Sequence, residues 1–348
     1  RDRFVFVPLL YELMSGELKG WEVAPDYASL LQGHGISHLQ DRASSIDLDA
    51  RSVTTASGRA LHYSQLVIAT GAQPEDFGIQ GVRDNALNFH TLSDLQPLQE
   101  RVQELRRRPS GTSSLVIAGA GATGVELACK LVDMLNGAAT VQLVELGDQI
   151  LPRSKAFNRE QAEKALKKRG VTVHLNTKVE SVTATSVMLS GAQGSSQQNH
   201  DGLVWTAGSR PSIPDISPKL ELHQGRLPVT ESLRLQGYPE VLALGDIAVN
   251  PDADELSSWP HSAQAAIQQG QFAAQELKAK LRDRDANTFV FNDLGEMLSL
   301  GIGDASITGL GLTLAGPLAF KLRRLTYLTR LPGLSLGLRA AGAWLVSP

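Results

Sequence analysis

Gly119, Gly121 and Gly124 stand at G-x-G-x-x-G spacing, directly after the apolar run Ser114-Leu-Val-Ile-Ala118 and ahead of a helical stretch through Leu135. Glycines so placed permit a tight turn, let a pyrophosphate approach the backbone and let helix and strand pack closely. The phosphates would sit at a helix N-terminus, where free N–H groups and the dipole favour anions. Glu145 follows at the end of a second strand, Val141-Gln-Leu-Val144, 21 positions past Gly124. A carboxylate at that offset holds ribose hydroxyls. Strand, turn, helix, second strand and acid together predict dinucleotide binding rather than a merely structural glycine turn. Glu145 would repel a 2′-phosphate, which favours NADH over NADPH.

Three strands end in a small residue and a glycine or in leucine and a glycine: Thr70-Gly71, Ala207-Gly208 and Leu244-Gly245. Strands terminate this way where a nucleotide lies against the backbone. Asp246 follows the last of them and could accept hydrogen bonds from a polyol chain, or act only as a helix cap. With the helix expected over 261–281 and Thr70-Gly71 upstream, the pattern favours a flavin-type site. Gln264 and Gln268 are four apart and share a helix face, where two carboxamides could meet a carbonyl substrate or a flavin edge, or simply be solvated. Glu126, early in the dinucleotide helix, either faces a nicotinamide cleft or favours the positive helix end. His261 reads as structural and Cys129 as a small packed hydrophobe.

The elements that must position these groups are those of an ordinary globular chain. Of 348 residues 42% are apolar and 20% charged, with a formal charge of −3, too mild for a nucleic-acid binder. One cysteine rules out a disulfide framework and a cysteine-based zinc site, and no metal is expected. No run of 18 apolar residues exists to cross a bilayer. Residues 3–11 read as a strand stopped by proline, 25–31 as a helix, 34–70 as short strands and 91–108 as a charged helix. From 114 the order is βαβαβ, as a doubly wound sheet requires. Residues 178–190 read as short strands, 191–199 as a polar surface loop, and the stretch from Thr288 as a strand pair followed by a tail. The tail, 305–348, holds Lys321, Arg323, Arg324, Arg330 and Arg339 and no acidic residue. Leu318, Leu322 and Leu325 share one face, with Arg323 and Arg330 opposite. That segment either packs on the protein's own core or lies in the plane of a membrane with its basic residues toward anionic headgroups.

Taken together, these segments resemble the type II NAD(P)H:quinone oxidoreductases, single-subunit FAD enzymes. The resemblance rests on Phe6-Val-Pro8-Leu-Leu-Tyr11-Glu12, Gly119–Ala128 (GAGATGVELA), Leu244-Gly-Asp246 and Ala263-Gln-Ala-Ala-Ile-Gln-Gln-Gly270, and covers essentially the whole chain. Tyr11–Glu17, Trp21–Pro25, Leu294–Met297 and Leu312–Pro317 are similar to the cyanobacterial and plastid branch that reduces demethylphylloquinone in vitamin K1 synthesis. The resemblance implies two doubly wound Rossmann-like domains of the glutathione-reductase type, one inserted in the other, plus a C-terminal membrane-docking segment. It implies FAD and NAD(P)H as cofactors, a prenylquinone substrate, a peripheral place on the cytoplasmic or stromal face of a membrane, and leaves a homodimer open. The implied flavin residues are Pro8, Gly71 and Asp246, and Thr70, Gly208, Gly245, Ala263 and Gln264 are implied as cofactor-binding. Thr123 would join the glycines and Glu145 at the dinucleotide. Gln264 and Gln268 would serve the quinone, and Glu126 would lie near the nicotinamide.

The expected domains are 1–108 and 231–285 for FAD, 109–230 for NAD(P)H, and 286–348 for the strand pair and docking segment. The chain opens at Arg1 already in a strand-like run, so the family's first G-x-G-x-x-G is expected upstream of it. Ile302 stands where the wider family often has a basic residue. Two rivals share these motifs. One is an NAD(P)H-dependent reductase of a soluble redox protein such as ferredoxin. The other is a non-catalytic NAD-binding remnant.

Overall fold

The computed structural model describes residues 2–254, 258–282 and 287–346. The chain divides into two compact units, and neither is continuous in sequence. The first comprises 1–38, 74–208 and 294–348, the second 39–73 and 209–293.

The first unit is built on a five-stranded, wholly parallel sheet in the order Leu87–Asn88, Gly202–Trp205, Ser113–Ala118, Ala139–Val144, Thr172–His174. The central strand is buried almost end to end, which explains its continuous apolar run. Helix Ala122–Leu135 leaves it directly and is buried over most of its surface, ending in Asn136 with a left-handed backbone (φ 47°). Helix Leu92–Arg106 buries Leu95, Leu98, Val102 and Leu105 at helical spacing. Its start is fixed by Thr91 and Asp94, whose carboxylate accepts the Thr91 N–H at 2.7 Å, and it runs through Pro97.

Several expectations are corrected here. Residues 3–11 are not a strand. Arg3 alone bridges to Asp26, Val7–Leu9 form a 3-10 turn, and helix Leu10–Ser15 follows. Pro8 carries no N–H and suits a helical first turn, while Leu9, Leu10, Leu13 and Met14 all enter the core beside Leu115, Ile117 and Val125. That packing is why 1–38 and 74–108 group with the dinucleotide segment and not with 231–285. Residues 194–199, read as loop, form an exposed strand, Gly194–Asn199, paired with Ser186–Gly191. The expected strand pair after Thr288 is a three-stranded antiparallel sheet, Glu296–Ser299, Ala305–Gly309 and Leu312–Ala315. The tail forms two helices, Pro317–Leu328 and Leu334–Val346.

In the second unit, Leu66–Ile68 and Tyr238–Ala243 form a parallel pair, extended antiparallel by Arg234–Leu235. This parallel pair is the part of the second doubly wound sheet that the chain contains. A separate sheet combines Ala43–Asp47, Ser52–Thr55, Ala60–His62 and Asp215–Ser217. Helix Ala263–Lys280 is capped by Ser262, whose hydroxyl accepts the Ala265 N–H.

Candidate active site

The dinucleotide turn is packed to the limit. A β-carbon on Gly124 would lie 1.9 Å from the Gly119 carbonyl oxygen, and one on Gly119 would lie 2.7 Å from the Ala207 Cα. Only glycine fits either place, so the turn presses on the end of the neighbouring strand. Thr206 fastens the contact, its hydroxyl donating to the Ala118 and Gly119 carbonyls at 2.8 and 3.0 Å. Gly121 is exposed, with nothing within 4 Å of the β-carbon position, leaving the face a phosphate would approach open. Glu145 reaches back to the turn. Its carboxylate accepts the Ala120 N–H at 2.6 Å and the Gly147 N–H at 2.8 Å. The acid therefore shapes the loop itself.

Thr123 and Glu126 point elsewhere. Both meet the buried Tyr11 hydroxyl, whose pKa is pushed well above its ordinary value by burial and then by the Glu126 charge. Glu126 accepts the Ser299 N–H at 2.6 Å, and burial raises its pKa against the opposing pull of Arg323. Arg323 is itself fully buried. It donates to Glu12 Oε1 and to the Pro8 carbonyl at 3.2 Å, stands 3.9 Å from Glu126 and lies 4.5 Å over the Tyr327 ring. This corrects the expectation that Arg323 faces headgroups: it is an internal cation shared by two carboxylates. A second buried cation, Lys130, pairs with Glu17 at 2.5 Å.

In the second unit, the strands ending at Ile68 and Ala243 lead to Gly71 and Gly245, both with left-handed backbone (φ 68° and 72°). Nothing lies within 4 Å of the β-carbon position at Gly71, and Thr70 is exposed. Asp246 is half-buried in a 3-10 turn, its carbonyl accepting from Arg226 Nε at 3.0 Å. The Gly245 N–H donates to Gln269 Oε1 at 2.7 Å, while Gln269 Nε2 is buried with no hydrogen-bond partner. An open glycine cradle beside an unsatisfied buried donor fits a polar cofactor edge. Ala263 is exposed at the helix start and Gln264 half-buried one residue on. Gln268 is committed elsewhere, exchanging two hydrogen bonds with the Asn292 backbone at 2.8 and 2.9 Å.

A glycine turn between strand and helix and a second pair of left-handed glycines at strand ends agree with the family comparison. The pattern of the pyridine nucleotide-disulphide oxidoreductases matches residues 2–270. The chain belongs to this family. Among the family's members, it is 36% identical over 355 positions to the demethylphylloquinone reductase of Synechocystis, covering 100% of this chain and 87% of that protein. It is 33% identical to the alternative NAD(P)H-ubiquinone oxidoreductase C1 of Arabidopsis thaliana, covering 95% of this chain and 70% of that protein. The solved structure of the NDH2 enzyme of Plasmodium falciparum with NADH superposes with a TM-score of 0.85 at 16% identity, covering 99% of this chain and 91% of that one. That likeness shows the fold, α/β with two Rossmann-like domains.

For this oxidoreductase, sequence reading missed Glu12, Arg323 and Lys130, because a charge becomes an internal partner only through contacts far along the chain. It also passed over Gln269, whose carboxamide lies between the two glutamines singled out for function and the glycine they were meant to accompany. A third glutamine next to Gln268 was the available signal.

Proposed function

We propose that the protein is an FAD-dependent NAD(P)H:quinone oxidoreductase whose acceptor is demethylphylloquinone or a related prenylquinone. One observation carries this reading: similarity to a demethylphylloquinone reductase along the whole chain, on a chain whose dinucleotide turn is sterically complete. When bound, FAD supplies the hydride acceptor and passes two electrons to the quinone. Gly119, Gly121 and Gly124 would receive the pyrophosphate and Glu145 the ribose hydroxyls. Thr70, Gly71, Gly245, Asp246 and Ala263 would hold the flavin, with Gln269 offering its unsatisfied amide. Gln264 would donate to the quinone carbonyl. Gln268 would act as a positioning residue, tying the helix under Gln264 to the backbone at Asn292. Glu126, whose pKa burial raises, would lie near the nicotinamide beside Tyr11.

The C-terminal helices support a peripheral membrane site. Leu318 and Leu325 are 64% and 60% exposed on one face of helix Pro317–Leu328, and Leu334 and Leu338 stand exposed on the next helix. Lys321 and Arg339 are exposed beside them. No helix among the described residues is long and apolar enough to cross a membrane. An in-plane helix set would hold the protein at the phase where a prenylquinone dissolves.

The test is an anaerobic visible spectrum of the full chain supplied with FAD. NADH should bleach the flavin band, and a water-soluble quinone should restore it. Flavin that binds but ignores NADH, or a reduced form that no quinone reoxidises, refutes the reading. The full chain should also sediment with anionic liposomes and lose this when Leu318 and Leu325 both become Asp.

A further inference from the structure

Phe77 is the exposed aromatic that the site described above leaves without a task. Its side chain is 64% exposed, yet its position is tightly specified. Its backbone is left-handed (φ 52°), a region that bulky residues rarely occupy and that persists where the surroundings over-determine it, typically at ligand clamps. Those surroundings are visible. The Glu75 N–H donates to the Gly208 carbonyl at 3.2 Å, and Trp205 Nε1 donates back to the Glu75 carbonyl at 2.8 Å. Glu75 Oε1 accepts the Phe77 N–H at 3.1 Å, and Asp76 accepts from the Gly78 N–H at 3.0 Å and from Arg83 at 2.7 Å. A β-carbon on Gly208 would lie 2.8 Å from the tip of the Phe77 ring, so the ring rests on bare backbone. Scattered surface aromatics are ordinary. One held by strained backbone, five hydrogen bonds and a glycine is a built feature.

Its place in the sheet says what it would meet. The dinucleotide turn follows the central strand, whose neighbours are Ala139–Val144 on one side and Gly202–Trp205 on the other. All three run parallel, so Gly119, Glu145 and Gly208 lie at the same edge of the sheet, where ligands bind in such folds. A dinucleotide seated by its pyrophosphate on the turn sends its two halves in opposite directions. Glu145 claims the adenosine half at the end of one neighbouring strand. The other half then crosses the end of Gly202–Trp205, where Ala207 touches the turn and Phe77 stands on Gly208. We propose that Phe77 is a stacking platform for the nicotinamide end of the dinucleotide, a substrate-contacting residue that fixes the ring and not the phosphates. The proposal rests on the dinucleotide reading of Gly119–Gly124.

The experiment separates the two claims. The full chain, its parent form beside Phe77→Leu and Phe77→Tyr, is titrated calorimetrically with NAD+ and with ADP-ribose, which lacks only the nicotinamide. Phe77→Leu alters an exposed side chain and keeps the fold. Stacking of a ring on an aromatic face supports a loss of about tenfold in NAD+ affinity for this variant, with ADP-ribose affinity unchanged. Phe77→Tyr should bind both ligands as the parent does. A parent that binds both, with Phe77→Leu weakening both equally or neither, overturns the platform while leaving the dinucleotide site intact. A parent that binds neither ligand overturns the dinucleotide reading and this inference with it.

Discussion

Replacing Arg323 by methionine would strand a carboxylate in the core. Arg323 and Glu12 are both fully buried, and Glu12 Oε2 already lacks a hydrogen-bond partner. Burial works against the Arg323 charge, and Glu12, Tyr327 and Glu126 together more than offset it, so the pKa is raised and the cation persists. Methionine fills most of the volume but leaves Glu12 unpaired and removes the donor to Pro8 and the cation over Tyr327. Breaking such a pair from one side costs about 3–5 kcal/mol. The unit that contains it has roughly 230 residues, for which each kcal/mol moves the midpoint by about 2–4 °C, so a fall of about 6–20 °C is expected. The double variant Arg323→Met with Glu12→Gln removes the orphaned charge and should recover more than half of the loss. Thermal unfolding followed by circular dichroism of parent, both single variants and the double closes the cycle. A single variant within about 1 kcal/mol of the parent, or a double no better than Arg323→Met, would refute the description of this pair as a closed internal ion pair.

Three further outcomes follow from the site. Gly124→Ala puts a methyl 1.9 Å from the Gly119 carbonyl; the turn must move, at a cost of about 2–3 kcal/mol, and NAD+ affinity measured by titration should drop at least tenfold, roughly the effect of one lost phosphate contact. Glu145→Gln removes the charge that opposes a 2′-phosphate while keeping an oxygen for the Ala120 or Gly147 N–H; the NADPH-to-NADH preference should rise by about two- to fivefold, and an unchanged ratio means Glu145 does not face the ribose. Burial raises the Glu126 pKa, so the fold favours the protonated acid: that contribution is complete below the unfolded value of 4.5 and is lost as pH climbs through the folded value. Glu126→Gln, which can still accept the Ser299 N–H, should therefore match the parent's stability below that value and exceed it above. A difference that stays flat with pH in denaturant titrations counts against this assignment.

The legible parts of this protein were those governed by local period and spacing. The run Ser114–Ala118, the turn at Gly119–Gly124 and the helix to Leu135 each carry their own signal, and all three appear where expected. The strand Gly194–Asn199 carried none, because with almost every residue exposed there is no apolar face to alternate with a polar one. At the N-terminus, aromatic and β-branched residues before Pro8 imitate a strand, while the helical spacing of Leu9, Leu10, Leu13 and Met14 matters only once a core exists to receive them. The site was legible in the same proportion. The glycines and Glu145 are local features, whereas the burial of Arg323 depends on Glu12, and the stance of Phe77 depends on Gly208 and Trp205.

The pairing of Arg323 with Glu12 spans 311 positions, and this bears on how the protein is made. At position 293 the first unit still lacks its three-stranded sheet and the arginine that neutralises Glu12. At about 5–20 residues per second, synthesis leaves the helix Leu10–Ser15 without its counter-ion for roughly 15–60 s. During that interval the dinucleotide turn is already complete in the emerging chain, its strand and helix both local. In nascent chains the helix Leu10–Ser15 should thus gain protection from proteases only after residue 323 has left the ribosome.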